Sequence, residues 1–323
     1  MSTATRDEVA PWWDPAKYEA HLRRVLDIAG LDVTEIVLPT SRHVLVGKMR
    51  LHYLDWGGAP GKPIMLMLHG GGLNAHTWDV VSLSLRSEYH CIALDLRGHG
   101  ESEWSRSMEY TVPIHQHDVL GFMDNLGIDR CIIVGMSLGG IVGLSIAVEH
   151  KQRMRALVLV DVGPVPLPDG VQRIEGFMRR ATGFTSMEQA IDTAMEFNPR
   201  RSRTLLSWTL ERNLMRMPDG TYTWKYDRRN RMNDDYVDTI TGRARELAQL
   251  AHTVECETLL VYGEDSEVVS ADSAAEFIAR VPRGRAVGVP NAGHTVQGDN
   301  PAALLAHVRA FTAGLSEEDD DGR

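Results

Sequence analysis

Cys131-Ile-Ile-Val-Gly-Met-Ser-Leu-Gly-Gly140, running on through residues 141–149, decides how this chain of 323 residues is read. An apolar run, then Gly135-x-Ser137-x-Gly139, then a second apolar stretch describe a buried strand, a sharp turn and a helix. A serine at that junction sits on a strained turn, which only small neighbours on both flanks permit. The turn lifts its hydroxyl clear of the backbone at the positive end of the following helix. Such a hydroxyl is a poor nucleophile until a base takes its proton and an acid orients that base. The candidate base is His294, in Pro290-Asn-Ala-Gly-His-Thr295, a loop between the last apolar run and the last helical stretch. In a parallel sheet that loop emerges at the carboxyl edge, the edge that presents Ser137. Other histidines fall on predicted helices (His21, His150, His307) or in and beside predicted strands (His52, His90).

Outward from the elbow, strand-like runs occupy 34–38, 49–55, 64–68, 91–94, 131–134, 156–160, 258–261 and 286–289. Helical stretches occupy 77–86, 113–126, 138–150, 273–280 and 301–313. Several runs are apolar throughout, as strands covered on both faces are, and their alternation with helices means crossover units. The expected fold is α/β: a mostly parallel twisted sheet of about eight strands flanked by helices, with an antiparallel start where no helix separates the first two runs. From 164 to about 250 no buried-strand run appears, only helical patterns, a Pro218-Asp219-Gly220 turn and scattered aromatics such as Phe177, Phe197 and Tyr226. A structureless loop of that length does not suit a compact domain, so an inserted, mostly helical cap is expected. The predicted organisation is an N-terminal helical extension (1–32), a core (33–163 and 251–315), a cap (164–250) and an acidic tail (316–323). In the extension, Asp14-Pro15 reads as a helix start and Gly30 as its stop, with Tyr18, Leu22, Val25 and Ala29 on one face.

Composition excludes several classes. With 43% hydrophobic and 24% charged residues the chain is neither disordered nor a disulfide scaffold. No run approaches the ~18 apolar residues of a membrane helix, and the polar start through Glu8 reads as neither a secretory nor a transit peptide. Cys91, Cys131 and Cys256 lie in or beside apolar runs, which predicts buried thiols and a cytoplasmic setting. A net charge of −10 without a basic stripe argues against a nucleic-acid partner; a small molecule is the expected one. The cap carries 14 Lys and Arg against 12 Asp and Glu, a hint of an anionic ligand, although solvated arginines are the plainer reading. The backbone N–H groups of His69-Gly70-Gly71-Gly72-Leu73, with that of Leu138, could receive an anionic tetrahedral oxygen. A rival reading takes Gly70-x-Gly72-x-x-Ala75 and the later Asp95 as a dinucleotide fingerprint, hence an NAD-dependent dehydrogenase, but leaves Ser137 and His294 without a joint explanation. His115-x-His117 would point apart on a helix, so no metal is expected.

Together, His69-Gly70-Gly71, Asp95-x-Arg97-Gly98-His99-Gly100-x-Ser102, the Ser137 elbow, Asp161-Val162-Gly163-Pro164 and Gly293-His294 resemble the α/β-hydrolase superfamily, in its order, from about 49 to 311. The resemblance implies Ser137 as nucleophile, His294 as base, and Gly71 and Leu138, with Gly72 as a further candidate, as the oxyanion hole. It implies no cofactor, and the elbow serine argues against the haloalkane dehalogenase and epoxide hydrolase branches, which use aspartate. The family's commonest acid ends a Gly-x-x-Asp stretch, but here Gly263-Glu-Asp-Ser266 puts Ser266 in that slot, with Asp265 and Glu267 one position away. A subset places its acid at the end of the sixth strand, where Asp161 stands. It includes enzymes similar to the 2-(acetamidomethylene)succinate hydrolase, a branch this chain resembles along with the meta-cleavage product hydrolases. Asp161 is the expected acid, with Glu267 and then Asp265 as runners-up. The expected activity is hydrolysis of an ester, lactone or amide of a small organic compound through an acyl-enzyme on Ser137, in a pocket formed with His69, Met136, Trp208 and Trp224. Carbon–carbon bond hydrolysis of a ring-cleavage product, or a non-catalytic ligand receptor on the same fold, are the alternatives.

Overall fold

Pro39 and the Gly47–Lys48 turn fix where the sheet begins. The computed structural model describes residues 14–163, 167–180, 183–231 and 235–315; the expected acidic tail, the first 13 residues and the start of the expected cap at 164–166 lie outside these. The first strand is β1 (Thr40–Val46), paired antiparallel with β2 (Met49–Gly57) from Val46↔Met49 to Thr40↔Asp55. The run at 34–38, expected as the first strand, is not one. Proline at 39 has no N–H for a ladder, and the tight turn after Val46 sets the register for residues 40–46 instead. Ile36 and Leu38 still pack against the core, which is what gave the run its strand-like look.

The central strands follow: β3 (Ile64–Leu68), β4 (His90–Leu94), β5 (Cys131–Met136) and β6 (Met154–Val160), then a small hairpin of β7 (Leu214–Arg216) and β8 (Tyr222–Trp224), then β9 (Glu257–Gly263) and β10 (Gly284–Val289). The main sheet runs β1-β2-β4-β3-β5-β6-β9-β10. It is parallel from β4 to β10, with β2 antiparallel to β4. This is the expected α/β sheet of eight mostly parallel strands.

Side chains alternate across it by two. Leu66, Ile133 and Leu157 face one core with Phe122 and Val142; Met67, Val134 and Val158 face the other with Tyr18, Leu85 and Leu304. The covering helices are α1 (Pro15–Ala29), α2 (Asp79–Leu85), α3 (Val112–Leu126) and α4 (Leu138–Glu149), with further helices toward the end of the chain. Helix α1 starts on the Asp14 carboxylate, which accepts the Ala16 and Lys17 N–H groups, and stops at Gly30 (φ 63°). It buries Tyr18, Leu22 and Leu26, so its inner face is turned slightly from the expected one through Val25 and Ala29.

Between β6 and β9 the chain leaves the sheet and forms α5 (Pro168–Arg180), α6 (Met187–Phe197), α7 (Arg203–Asn213), the β7–β8 hairpin, α8 (Arg228–Arg231) and α9 (Asp235–Gln249). The Pro218–Gly220 turn closes that hairpin, with Met217 N–H donating to Thr221 O at 2.7 Å. Phe184, Ile191, Leu206, Leu210 and Trp224 give the insert a core of its own. After β9 come α10 (Ala271–Ile278), α11 (Val296–Asp299) and α12 (Pro301–Thr312). Among the described residues no helix is long and apolar enough to cross a membrane.

Candidate active site

Strand β5 ends where its last ladder bond is made, by Ser137 N–H to Val160 O at 3.2 Å. There the backbone turns sharply: Ser137 has φ 50° and ψ −118° and is the N-cap of α4. Close approach explains the flanking glycines. A Cβ on Gly135 would lie 2.4 Å from Gly139 O, and one on Gly139 would lie 2.3 Å from Leu68 O. Gly139 N–H also donates to His69 O at 3.1 Å, which ties the elbow to the loop after β3.

Asp161 repeats the pattern one strand over. Its N–H donates to Val261 O at 2.7 Å, and its φ is again 50°. Only Met108, Ser137, Asp161 and Asn291 among the described non-glycine residues have positive φ. Two of these four carry the candidate nucleophile and acid, and backbone strain of this kind persists where surroundings over-determine it. The Asp161 carboxylate is fully buried. Its Oδ1 accepts Gly263 N–H at 3.0 Å, and its Oδ2 accepts both the Ser266 hydroxyl and His294 Nδ1–H at 2.7 Å. With Nδ1 protonated, His294 keeps a lone pair on Nε2.

Ser266, in the slot that usually holds an acid, therefore donates to one. Its Oγ in turn accepts the N–H groups of Val268 and Val269 at 3.1 and 3.2 Å, and Val268 O accepts Leu167 N–H at 2.9 Å, at the foot of α5. The other two acid candidates, at the cavity rim, meet arginines. Glu267 is gripped by Arg173, and Asp265 lies 3.6 Å from Arg200 Nε; both are half-exposed.

Ser137, Asp161 and His294 line one cavity of about 290 Å³. Gly70, Gly71, Gly72 and Leu138 line it too. Leu138 opens α4, so helix geometry gives its N–H no intrahelical acceptor, and Gly72 takes a φ of 79° that suits glycine. Much of the remaining wall is apolar and comes largely from the insert, including Ile174, Phe177, Leu210, Trp224 and Ile240.

Of the four residues expected in the pocket, Met136 and Trp224 line this cavity, while His69 and Trp208 do not. The His69 ring is buried, with Nε2 accepting Leu96 N–H at 2.9 Å and Nδ1 donating to Gly70 O at 2.8 Å. Burial lowers its pKa, against the opposing pull of Asp95; the neutral ring braces the glycine loop. Trp208 stacks on His21 at 3.8 Å and on Tyr18 at 5.2 Å, with the Arg212 guanidinium 4.1 Å from its ring centre. It lines a separate cavity of about 80 Å³. What the sequence reading passed over is the arginine set Arg173, Arg200 and Arg201 in the main cavity wall; the positive balance of the insert was the available signal.

The dinucleotide reading fails on geometry. Helix α2 begins only at Asp79, after a 3-10 turn, so the glycine run does not lead directly into the N-terminus of an α-helix as the fingerprint requires. The Asp95 carboxylate is buried and already accepts from His52 Nδ1 and the N–H groups of Ala75 and Glu101, leaving it turned away from any ribose. Burial alone would raise its pKa, but those bonds, the one from His52 above all, hold it well below the usual carboxylate range.

Comparisons with known proteins bear on the family and the fold. A family described as alpha/beta hydrolase fold matches residues 63–301. The chain is 30% identical over 279 residues to the esterase Rv0045c of Mycobacterium tuberculosis, covering 84% of this chain and 89% of that protein. A crystal structure of that esterase matches with a TM-score of 0.73 at 29% identity, over 95% of this chain and all of the other. A 3-hydroxybutyrate-oligomer hydrolase of Cupriavidus necator is 26% identical over 275 residues, covering 82% of this chain and 94% of that protein. In fold alone, E-2-(acetamidomethylene)succinate hydrolase is similar, with a TM-score of 0.76 at 23% identity over 85% of this chain and all of that one.

Proposed function

Because the chain belongs to the alpha/beta hydrolase fold family, and is thus a hydrolase, we propose that it cleaves esters of small organic acids through an acyl-enzyme on Ser137. His294 Nε2 takes the hydroxyl proton as Oγ attacks the acyl carbon, and Asp161 stabilises the imidazolium that forms. The oxyanion lies against the N–H groups of Leu138 and Gly71, with Gly72 beside them. Collapse of the tetrahedral intermediate passes the proton from His294 to the leaving oxygen. Water then enters, His294 activates it, and the acid product departs.

One observation carries this reading: Ser137, at its strained φ, shares a cavity with a histidine whose Nδ1 is 2.7 Å from a fully buried carboxylate. That arrangement serves acyl transfer, which a passive receptor does not require. The apolar wall supports a hydrocarbon acyl group, and a cavity at the lower end of the usual ligand range supports a short one. The relatives named above as an esterase and an oligomer hydrolase point to esters before amides.

The test is labelling of the full chain with a fluorophosphonate probe, alongside turnover of p-nitrophenyl esters from acetate to octanoate. Labelling and turnover that both vanish in Ser137→Ala are expected. Labelling that survives that substitution, or folded wild-type protein that neither labels nor turns over, refutes the proposal.

A further inference from the structure

Resting on the serine-hydrolase reading, we propose that Arg200 binds a carboxylate on the leaving-alcohol half of the substrate, so that the preferred esters are acylated hydroxycarboxylic acids. Three arginines of the insert, Arg173, Arg200 and Arg201, line the main cavity. Each meets a carboxylate of the core, and two are firmly engaged. Arg201 Nε donates to Asp299 Oδ1 at 2.7 Å, with the two side chains 11% and 3% exposed. Arg173 Nη1 grips both oxygens of Glu267, and its Nη2 donates to Phe197 O at 2.8 Å.

Arg200 is held differently. Its Nε stands 3.6 Å from Asp265 Oδ2, outside hydrogen-bond distance, and its Nη2 reaches only the Asp265 backbone O, at 3.4 Å. Both side chains are close to half exposed, 41% and 48%. Water on both sides screens such a pair, and it holds the guanidinium weakly.

Position gives this loosely held cation its meaning. Arg200 Nη1 lies 3.3 Å from where a Cβ on Gly293 would stand. The guanidinium therefore covers the backbone immediately before His294, in room that glycine leaves open. His294 must hand its proton to the leaving oxygen, so the alcohol half of an ester lies against this wall. The acyl half faces the apolar side, with Ile174, Phe177 and Ile240. A carboxylate on the alcohol half can take the planar fork with two parallel bonds, which a single 3.6 Å approach from Asp265 does not rival. Asp265, already half in water, then turns outward. A neutral alcohol finds no comparable partner there.

The test uses 3-(butanoyloxy)propanoate and its uncharged isostere 3-(butanoyloxy)propanamide as competitors of p-nitrophenyl butanoate turnover, so that discrimination is read whether or not either is cleaved. Wild-type enzyme is expected to bind the carboxylate about tenfold more tightly than the amide. Arg200→Gln should bring the ratio of inhibition constants to about one. Asp265→Asn, which removes the competing carboxylate and keeps Arg200, should raise it. A ratio near one in the wild type, or one that Arg200→Gln leaves unchanged, overturns the assignment of Arg200 alone. Absence of p-nitrophenyl butanoate turnover together with absence of fluorophosphonate labelling overturns the serine-hydrolase reading beneath it.

Discussion

Asp161→Asn separates the candidate acids most sharply, because the buried carboxylate receives donors on both oxygens. Gly263 N–H approaches Oδ1 at 3.0 Å, while the Ser266 hydroxyl and His294 Nδ1 approach Oδ2 at 2.7 Å. An amide can accept on one side only. With its oxygen toward Gly263, its NH₂ meets His294 Nδ1, and the ring must move its proton to Nε2, where Ser137 then finds a donor instead of a base. With the amide reversed, NH₂ confronts Gly263 N–H, and a buried donor left without an acceptor costs about 1–3 kcal/mol. The first orientation is therefore favoured, and it is the one that disables the base. A wrong tautomer of this kind lowers kcat by about 10⁴, or roughly 5 kcal/mol of barrier, with KM little changed. Steady-state hydrolysis of a p-nitrophenyl ester measures it. Glu267→Gln and Asp265→Asn, altering half-exposed ion pairs at the cavity rim, should each stay within about tenfold of wild type. An Asp161→Asn enzyme within tenfold of wild type, beside a Glu267→Gln enzyme reduced by several orders of magnitude, would refute the assignment.

Two further outcomes are expected. Burial, with Arg97 and His69 adding to it, lowers the pKa of His115 from 6.5 to about 3. The unfolded chain then binds a proton that the folded chain refuses between those values, so stability is full above pH 6.5 and falls with acid through that window. At about 1.4 kcal/mol per pH unit the loss by pH 5 is on the order of 2 kcal/mol. Urea unfolding at pH 7.5 and 5 should show His115→Gln losing less than wild type by that amount; equal losses would contradict the account. Trp208→Ala, which empties the stack beneath α1, should cost about 3–5 kcal/mol of stability and leave KM nearly unchanged, whereas Trp224→Ala should raise KM. A larger KM change in the Trp208 variant would put that ring back at the substrate.

How much the sequence disclosed depended on how local each cause was. The central strands were legible because burial on both faces demands apolar residues at every position, as in Ile132, Ile133 and Val134. The Asp14 and Gly30 caps and the Ser137 elbow were legible because backbone geometry there selects particular residues within a few positions. The first strand was misread because Ile36 and Leu38 pack on the core without joining a ladder, and hydropathy alone does not separate covering from pairing. Trp208 was placed at the cavity because aromatics of the insert were expected to line it, and His69 because it adjoins the glycine loop. Their partners, Tyr18 and His21 in one case and Leu96 in the other, lie far along the chain. The role of Ser266 was hidden for the same reason, since its partner is 105 residues away.

The bonds that run from Leu167 to Val268, from Val268 to Ser266, from Ser266 to Asp161 and from Asp161 to His294 link the root of the insert to the candidate base. Any displacement at the root of the insert would have these hydrogen bonds as its direct route to the His294 ring.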